Sequence, residues 1–170
     1  MTVIRDDNNI PKIIEQLEAL KSKRVEVGIF SSEQDSELMM VANVNEYGVE
    51  IEVTDAMRGY LGSQGLHLRA DTDVITIPER SFVRSTYDEQ KDDMLDKAER
   101  LFKQVLKLEI DAHTFYEKLG RDIQSRIQRK MRDIRNPANH PFTAERKGSS
   151  NPLIDNGRLR QSITWRVVDV

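Results

Sequence analysis

The apolar residues Leu119, Ile123, Ile127, Met131 and Ile134 recur at steps of four, four, four and three. That spacing keeps them on one stripe of an α-helix and cannot be sustained by a strand, in which alternate residues change face. Thr114-Phe115-Tyr116-Glu117, just before it, has the form of a capping box and places the helix start there. Upstream, between Ser81 and Leu108, Phe82, Tyr87, Met94, Leu95, Ala98, Leu101, Phe102 and Val105 follow a helix period, imperfectly at first and well after Met94. Two long helices are therefore expected in the second half of the chain.

The first half has a different rhythm. Asn9 is placed to cap a helix with Pro11 in its opening turn, and Ile10, Ile13, Ile14, Leu17 and Leu20 give that helix one face to bury. Arg24 to Phe30 then alternates, setting Val25, Val27 and Ile29 on one side of a strand. Ser36 is expected to cap a second helix, which ends in Asn45-Glu46-Tyr47-Gly48 with Gly48 as a left-handed C-terminal cap. Val49 to Val53 and Asp73 to Ile77 are expected to pair as strands across residues 54–72, a variable connection holding a short helix or an extended flap. Pro78 stops the second of them, because it cannot donate to a ladder. Pro137 and Pro141 end helical structure, and residues 136–156 read as a long mobile loop. Ile163, Trp165 and Val167 alternate in a last strand running from Leu159 to the end. The pattern predicts a single α+β domain over residues 1–170, with an antiparallel sheet of about four strands packed against long helices.

Composition narrows the chemistry. There is no cysteine, which excludes disulfides, thiolate metal sites and cysteine nucleophiles. The 26 Lys and Arg against 29 Asp and Glu leave a formal net charge of -3, where a dedicated nucleic-acid binder is usually basic throughout. The opening residues carry acids where a secretory leader needs a basic start, so no leader is expected. No apolar run approaches the roughly 20 residues that cross a bilayer, and no membrane contact is expected.

His67, His113 and His140 fall in separate segments with no second ligand at helical spacing, so no metal site is implied. No G-x-S-x-G elbow occurs, and Lys147-Gly148-Ser149-Ser150 lacks the leading glycine of a phosphate loop. Acidic pairs such as Asp92-Asp93 sit in a helix dense with both charges, where carboxylates serve solubility. Neither a catalytic residue nor a cofactor is expected.

Two sets of charges stand apart. Arg121, Arg126, Arg129, Lys130, Arg132 and Arg135 make the end of the last long helix basic, which suits a helix C-terminus or a contact with an acidic partner or a phosphate backbone. Glu46 lies in the last turn of a helix, and Arg80 and Arg84 near the start of another, each against the local dipole. These misfits correct one another if Glu46 pairs with Arg80 or Arg84. Asp155-Asn156-Gly157 is a turn that tolerates left-handed backbone, preceded by Pro152-Leu153-Ile154 as an apolar anchor.

Three phrases in order carry a family resemblance. Ala42-Asn43-Val44-Asn45-Glu46-Tyr47-Gly48 has the form A-x-x-N-E-[FY]-G, and Ile77-Pro78-Glu79-Arg80-Ser81-Phe82-Val83-Arg84 the form I-P-x-R-[PS]-F-x-R. Pro152-Leu153-Ile154-Asp155-Asn156-Gly157-Arg158-Leu159-Arg160-Gln161-Ser162-Ile163, preceded by Thr143 and Lys147-Gly148, is close to P-L-x-D-[TS]-G-x-L-x-x-S-I. Asn156 stands where Thr or Ser is commoner, and Ser81 where Pro often occurs. The chain thus resembles the phage virion-morphogenesis proteins of head-to-tail joining and tail completion.

The resemblance implies a non-enzymatic structural protein, made in the host bacterial cytoplasm and carried in the virion. It would assemble with copies of itself as a ring at the neck or the head-proximal tail end, against the head connector, the tail tube or a tail terminator. Asn45, Glu46, Tyr47, Gly48, Pro78, Arg80, Phe82, Arg84, Leu153, Asp155, Gly157, Leu159 and Ser162 would form its structural motif. By the same analogy residues 54–72 and 136–151 would touch ring neighbours or the connector. A small nucleic-acid-binding module using the basic helix face is the alternative.

Overall fold

A computed structural model describes residues 8–32 and 34–170. Residues 1–7, on which the expectation of no leader rests, lie outside the described residues, as does Glu33. In chain order the elements are α1 (Ile10–Lys21), β1 (Lys23–Gly28), α2 (Ser36–Tyr47), β2 (Val49–Glu52), α3 (Asp55–Ser63) and β3 (Val74–Ile77). There follow α4 (Arg84–Leu106), α5 (Ala112–Asp133), α6 (Pro141–Lys147), α7 (Arg158–Gln161) and β4 (Thr164–Asp169). The α+β class, the four antiparallel strands and the long helices are as the sequence predicts. The strands, however, pair as two ribbons, β1 with β4 and β2 with β3.

The chain groups into two compact units, each assembled from separate stretches. One comprises the described residues up to Gly28, Tyr87–Arg126 and Thr164–Val170. Its ribbon sets Val25 opposite Val167 and Val27 opposite Trp165, and the Trp165 ring lies on α5 at Gly120, where an added Cβ would stand 2.8 Å from the ring. Leu101, Val105 and Phe115 form its buried cluster, with Leu20, Ala98, Ile110, Tyr116 and Leu119 packed around them. The Tyr116 hydroxyl donates to the Leu20 carbonyl at 2.7 Å and Gln16 accepts from the Ala112 amide at 2.8 Å, which ties α1 to α5. Only part of the α1 stripe is covered, since Ile10 and Ile14 are exposed.

The second unit comprises Ile29–Thr86 and Ile127–Ile163. Its ribbon sets Val49 opposite Ile77 and Ile51 opposite Ile75, the pairing expected across residues 54–72, and that connection holds the short helix α3. Arg58 of α3 donates to the carbonyls of Arg69 and Thr72, fixing the return to β3. Leu38, Phe82, Met131, Leu153, Leu159 and Ile163 are among its buried apolar side chains.

Several local expectations are corrected. Asp35, not Ser36, caps α2 by accepting from the Leu38 amide at 2.8 Å; Asn9 stands at the N-cap of α1 with Pro11 in the first turn, as expected, but the side chain that accepts there, from the Ile10 amide, is that of Asn8. Asp111 replaces the capping box at Thr114: it accepts from the Thr114 amide at 2.7 Å, and the Thr114 hydroxyl and amide hold its carboxyl below the usual value. In each case an acceptor one to three residues upstream is the one placed to meet the free amides. Pro141 opens α6, which divides the expected loop, because proline's missing N–H costs nothing in a first turn. Gly157 is left-handed as expected, with φ 85, but it opens α7 before the last strand begins.

Candidate functional site

The first two phrases make one joint. Asn45, Glu46 and Tyr47 form the end of α2, and Pro78 to Val83 link β3 to α4. The Glu46 carboxylate accepts from the backbone amides of Phe82, Val83 and Arg84 at 2.8, 3.0 and 2.9 Å. It also accepts from the Ser81 hydroxyl at 2.8 Å and the Arg84 Nε at 3.3 Å. These amides belong to the unpaired start of α4, where the helix dipole favours negative charge. A residue unfavourable at the end of α2 thus caps the helix that begins 38 residues later. Burial pushes the Glu46 carboxyl up, and the amides of Val83, Arg84 and Phe82 with the Ser81 hydroxyl outweigh it, leaving the pKa below the ordinary value.

Other contacts lock the same joint. The Arg80 amide donates to the Asn45 carbonyl at 2.7 Å. Arg84 donates to the Glu46 carbonyl and to Glu79, and its guanidinium lies 4.4 Å from the centre of the Tyr47 ring. Gly48 has φ 70 and ψ 170, so it ends α2 with a positive φ but not in the left-handed helical geometry expected. The reason is contact: a Cβ there would sit 2.9 Å from the Glu79 nitrogen and 3.0 Å from the Ile77 oxygen. Pro78 lies between these two contact points, and Phe82 is only 1% exposed.

Of the two partners expected for Glu46, Arg84 is one and Arg80 is not. Arg80 turns instead to residues 136–140, donating from Nε to the Pro137 carbonyl at 2.7 Å and from its terminal nitrogen to the Ala138 carbonyl at 3.0 Å. It is buried, and burial lowers its pKa. Neutral carbonyls that converge on a guanidinium fork replace the carboxylate, because Glu46 is already filled by amides.

The third phrase meets α2 on its own terms. Leu153, Leu159 and Ser162 are buried, and the Ser162 hydroxyl donates to the Leu159 carbonyl. Asp35 pairs with Arg158 at 2.6 Å, and α7 packs against α2. Between them lies a groove of about 280 Å³, lined by Leu38, Val41 and Asn45 on one side and Leu153, Asp155 and Leu159 on the other. Lys147 lines it too and donates to the carbonyls of Asn151 and Pro152. Burial depresses the Lys147 pKa while the nearby Asp155 opposes that shift. Asn151 holds the loop to α5 by donating to the Arg132 carbonyl at 2.9 Å.

The basic end of α5 is largely engaged. Arg126 pairs with Asp122 at 2.6 Å and reaches Gln90, while Arg121 meets Glu117 at 3.7 Å and the Trp165 ring. Arg132 pairs with Asp133, and Arg135 donates to the carbonyls of Arg132 and Ile134 as a C-terminal cap. Arg129 is exposed, and Lys130 is only partly so. Among the described residues no group of three or more His, Asp or Glu converges as metal ligands, and no helix is long and apolar enough to cross a membrane.

Sequence reasoning missed Asp35, Ser81, Gln128 and Asn151. Gln128 donates to the Arg160 and Ile163 carbonyls from inside a helix, a position with no local signature. Asp35 had one, since Asp before Ser-Glu-Leu is a good N-cap. No protein-family model, curated protein or solved structure matches the chain.

Proposed function

We propose that this chain is a non-enzymatic structural protein of the phage virion, acting in head-to-tail joining or tail completion. It associates with copies of itself as a ring at the neck or head-proximal tail end, against a head connector, tail tube or tail terminator protein. What supports this reading is that the three phrases behind the resemblance all meet around α2: its end is joined to the start of α4 through Glu46, and its side is joined to α7 through Asp35 and Arg158. Their polar groups are spent on fixing backbone. The Glu46 oxygens are filled by amides and a hydroxyl, and the Arg80 guanidinium meets two carbonyls. Residues used so shape a surface and do not turn over a substrate.

The test is incorporation. Phage lysates containing a tagged chain are fractionated into heads, tails and complete particles, and purified fractions are imaged by electron microscopy. Copurification with the neck or tail end is expected, together with loss of head-tail joining when the gene is removed. A chain absent from every particle fraction, with joining intact without it, overturns the proposal.

A further inference from the structure

Strand β3 has an open edge and carries no charge. Because β2 and β3 form a ribbon of two strands, each keeps one edge with no neighbouring strand among the described residues. The Val53 amide donates to the Asp73 carbonyl at 2.8 Å. Backbone groups of successive residues in a strand point to opposite sides, so Ile51 with Ile75 and Val49 with Ile77 bond inside the ribbon. The N–H and C=O of Val74 and Thr76 therefore point outward from β3, and those of Glu50 and Glu52 outward from β2. The two edges differ in chemistry. On β2 the outward residues are two exposed glutamates, and charge of that kind blunts an edge against pairing. On β3 the run Val74-Ile75-Thr76-Ile77 is β-branched throughout, and β3 is the one described strand without a charged residue. Val74 is 44% exposed and Thr76 is exposed.

We infer that this edge pairs with β3 of a second copy of the chain, antiparallel about a two-fold axis, so that two ribbons join into one sheet. The outward groups fix the register. With Ile75 opposite Ile75 of the second copy, Val74 and Thr76 of each copy meet Thr76 and Val74 of the other, and each pair exchanges both of its N–H to C=O bonds. Centring the pair on Thr76 instead would set Val74 opposite Pro78, which has no N–H to give. Residues opposite one another share a face, so the half-buried Ile51 and Ile75 of one copy continue into Ile75 and Ile51 of the other, and β-branched side chains meet across the axis. Like charges stay apart. Asp73 of one copy faces Ile77 of the other, which leaves the two Asp73 carboxylates about 13 Å apart along the ladder. Glu50 and Glu52 stand three strand spacings, about 14 Å, from those of the second copy. Asp71 lies in the turn before β3, and Glu79 lies past Pro78, paired with Arg84. A two-fold contact uses one edge twice, so a single self-complementary strand suffices. The inference names a contact between copies and stands on the strand edge itself; a two-fold pair closes on itself, so a ring needs a further contact.

The experiment uses the full chain, with sedimentation equilibrium and amide hydrogen exchange. Wild type is expected to dimerise, the Val74 and Thr76 amides exchanging more slowly as concentration rises while those of Glu50 and Glu52 stay fast. Thr76→Pro removes an outward donor without touching the ribbon's own bonds, and is expected to weaken the dimer at least about tenfold with the circular dichroism unchanged. Glu52→Pro removes the equivalent donor of the other edge and is expected to leave the dimer intact. Val74→Lys with Thr76→Lys guards against a proline variant that fails to fold. It sets each lysine beside Glu52 or Glu50 of its own ribbon but lysine opposite lysine across the axis, and is expected to abolish pairing. Because the chain has no cysteine, Ile75→Cys is expected to give a disulfide-linked dimer on mild oxidation and Thr76→Cys is not, since only residue 75 meets its own counterpart. A wild type monomeric at about 100 µM overturns the inference. So does a dimer that Glu52→Pro weakens as much as Thr76→Pro, or one that Thr76→Cys links as well as Ile75→Cys. Incorporation into particles is scored separately: a monomer that enters particles removes the β3 contact and leaves the assembly reading intact, and a β3 dimer absent from every particle does the reverse.

Discussion

The carboxylate of Glu46 stands 2.8 Å from the backbone nitrogen of Phe82, across 36 residues of chain, and closes the start of α4 with a side chain from the end of α2. A helix start normally takes its cap from the residue just before it. Here the cap comes from another element, so the angle between α2 and the first turn of α4 is fixed by the same atoms that satisfy the amides.

Removing that carboxylate leaves three amides and a hydroxyl without their acceptor, the Phe82 amide buried and the others partly so. Glu46→Ala is expected to cost about 3 kcal/mol, since losing one partner of a buried charged hydrogen-bond set carries the full desolvation penalty. Glu46→Gln, which keeps one acceptor oxygen, is expected to cost about half as much. Urea denaturation measures both. Equal stability of Glu46→Ala and the parent would refute the role given to this residue.

The same group predicts acid sensitivity. Its folded pKa lies below the ordinary glutamate value of 4.5, so its contribution is complete above that pH and is lost as pH falls through the lower folded value. Stability between pH 5 and the folded pKa is therefore expected to decline more steeply in the parent than in Glu46→Gln. Denaturant midpoints taken at descending pH decide it.

Gly48 cannot carry a side chain. Its φ of 70 with ψ 170 is glycine territory, and a Cβ would press on the backbone at Ile77 and Glu79. Gly48→Ala is expected to destabilise by about 2–3 kcal/mol through strain alone. An unchanged thermal midpoint would show that the approach of α2 to residues 77–79 is looser than described.

Gly120→Ala probes the other unit. The added methyl would meet three Trp165 ring carbons at 2.8 to 3.0 Å, and overpacking of that kind costs about 1–3 kcal/mol. Trp165 is the one tryptophan in the chain, so its fluorescence reports the displacement directly. A shifted emission maximum together with a lowered midpoint is expected.

Arg80→Ala should free residues 136–140 before it unfolds anything else, because the guanidinium is what holds the Pro137 and Ala138 carbonyls. Faster amide exchange and faster proteolysis are expected there. Arg80→Lys is expected to rescue only in part, since an ammonium lacks the planar fork that serves both carbonyls at once.

What the sequence determined by itself was local. The four-residue apolar period of α5, the alternation of Val49 to Val53 and Asp73 to Ile77, and the left-handed turn at Gly157 all follow from spacing and residue type within a few positions. These properties are set by backbone geometry and need no distant partner. The charges of Glu46, Arg80 and Arg84 were also visibly out of place, which marked the joint without resolving it.

Only the tertiary structure decided where those charges go. Glu46 finds amides, Arg80 finds carbonyls of a segment more than fifty residues away, and four strands divide into two ribbons. Each polar outcome depends on which groups the fold brings within reach of a buried, unpaired partner. Sequence spacing does not encode that contest, because a hydrogen bond is satisfied by proximity in space whatever the length of chain between its ends.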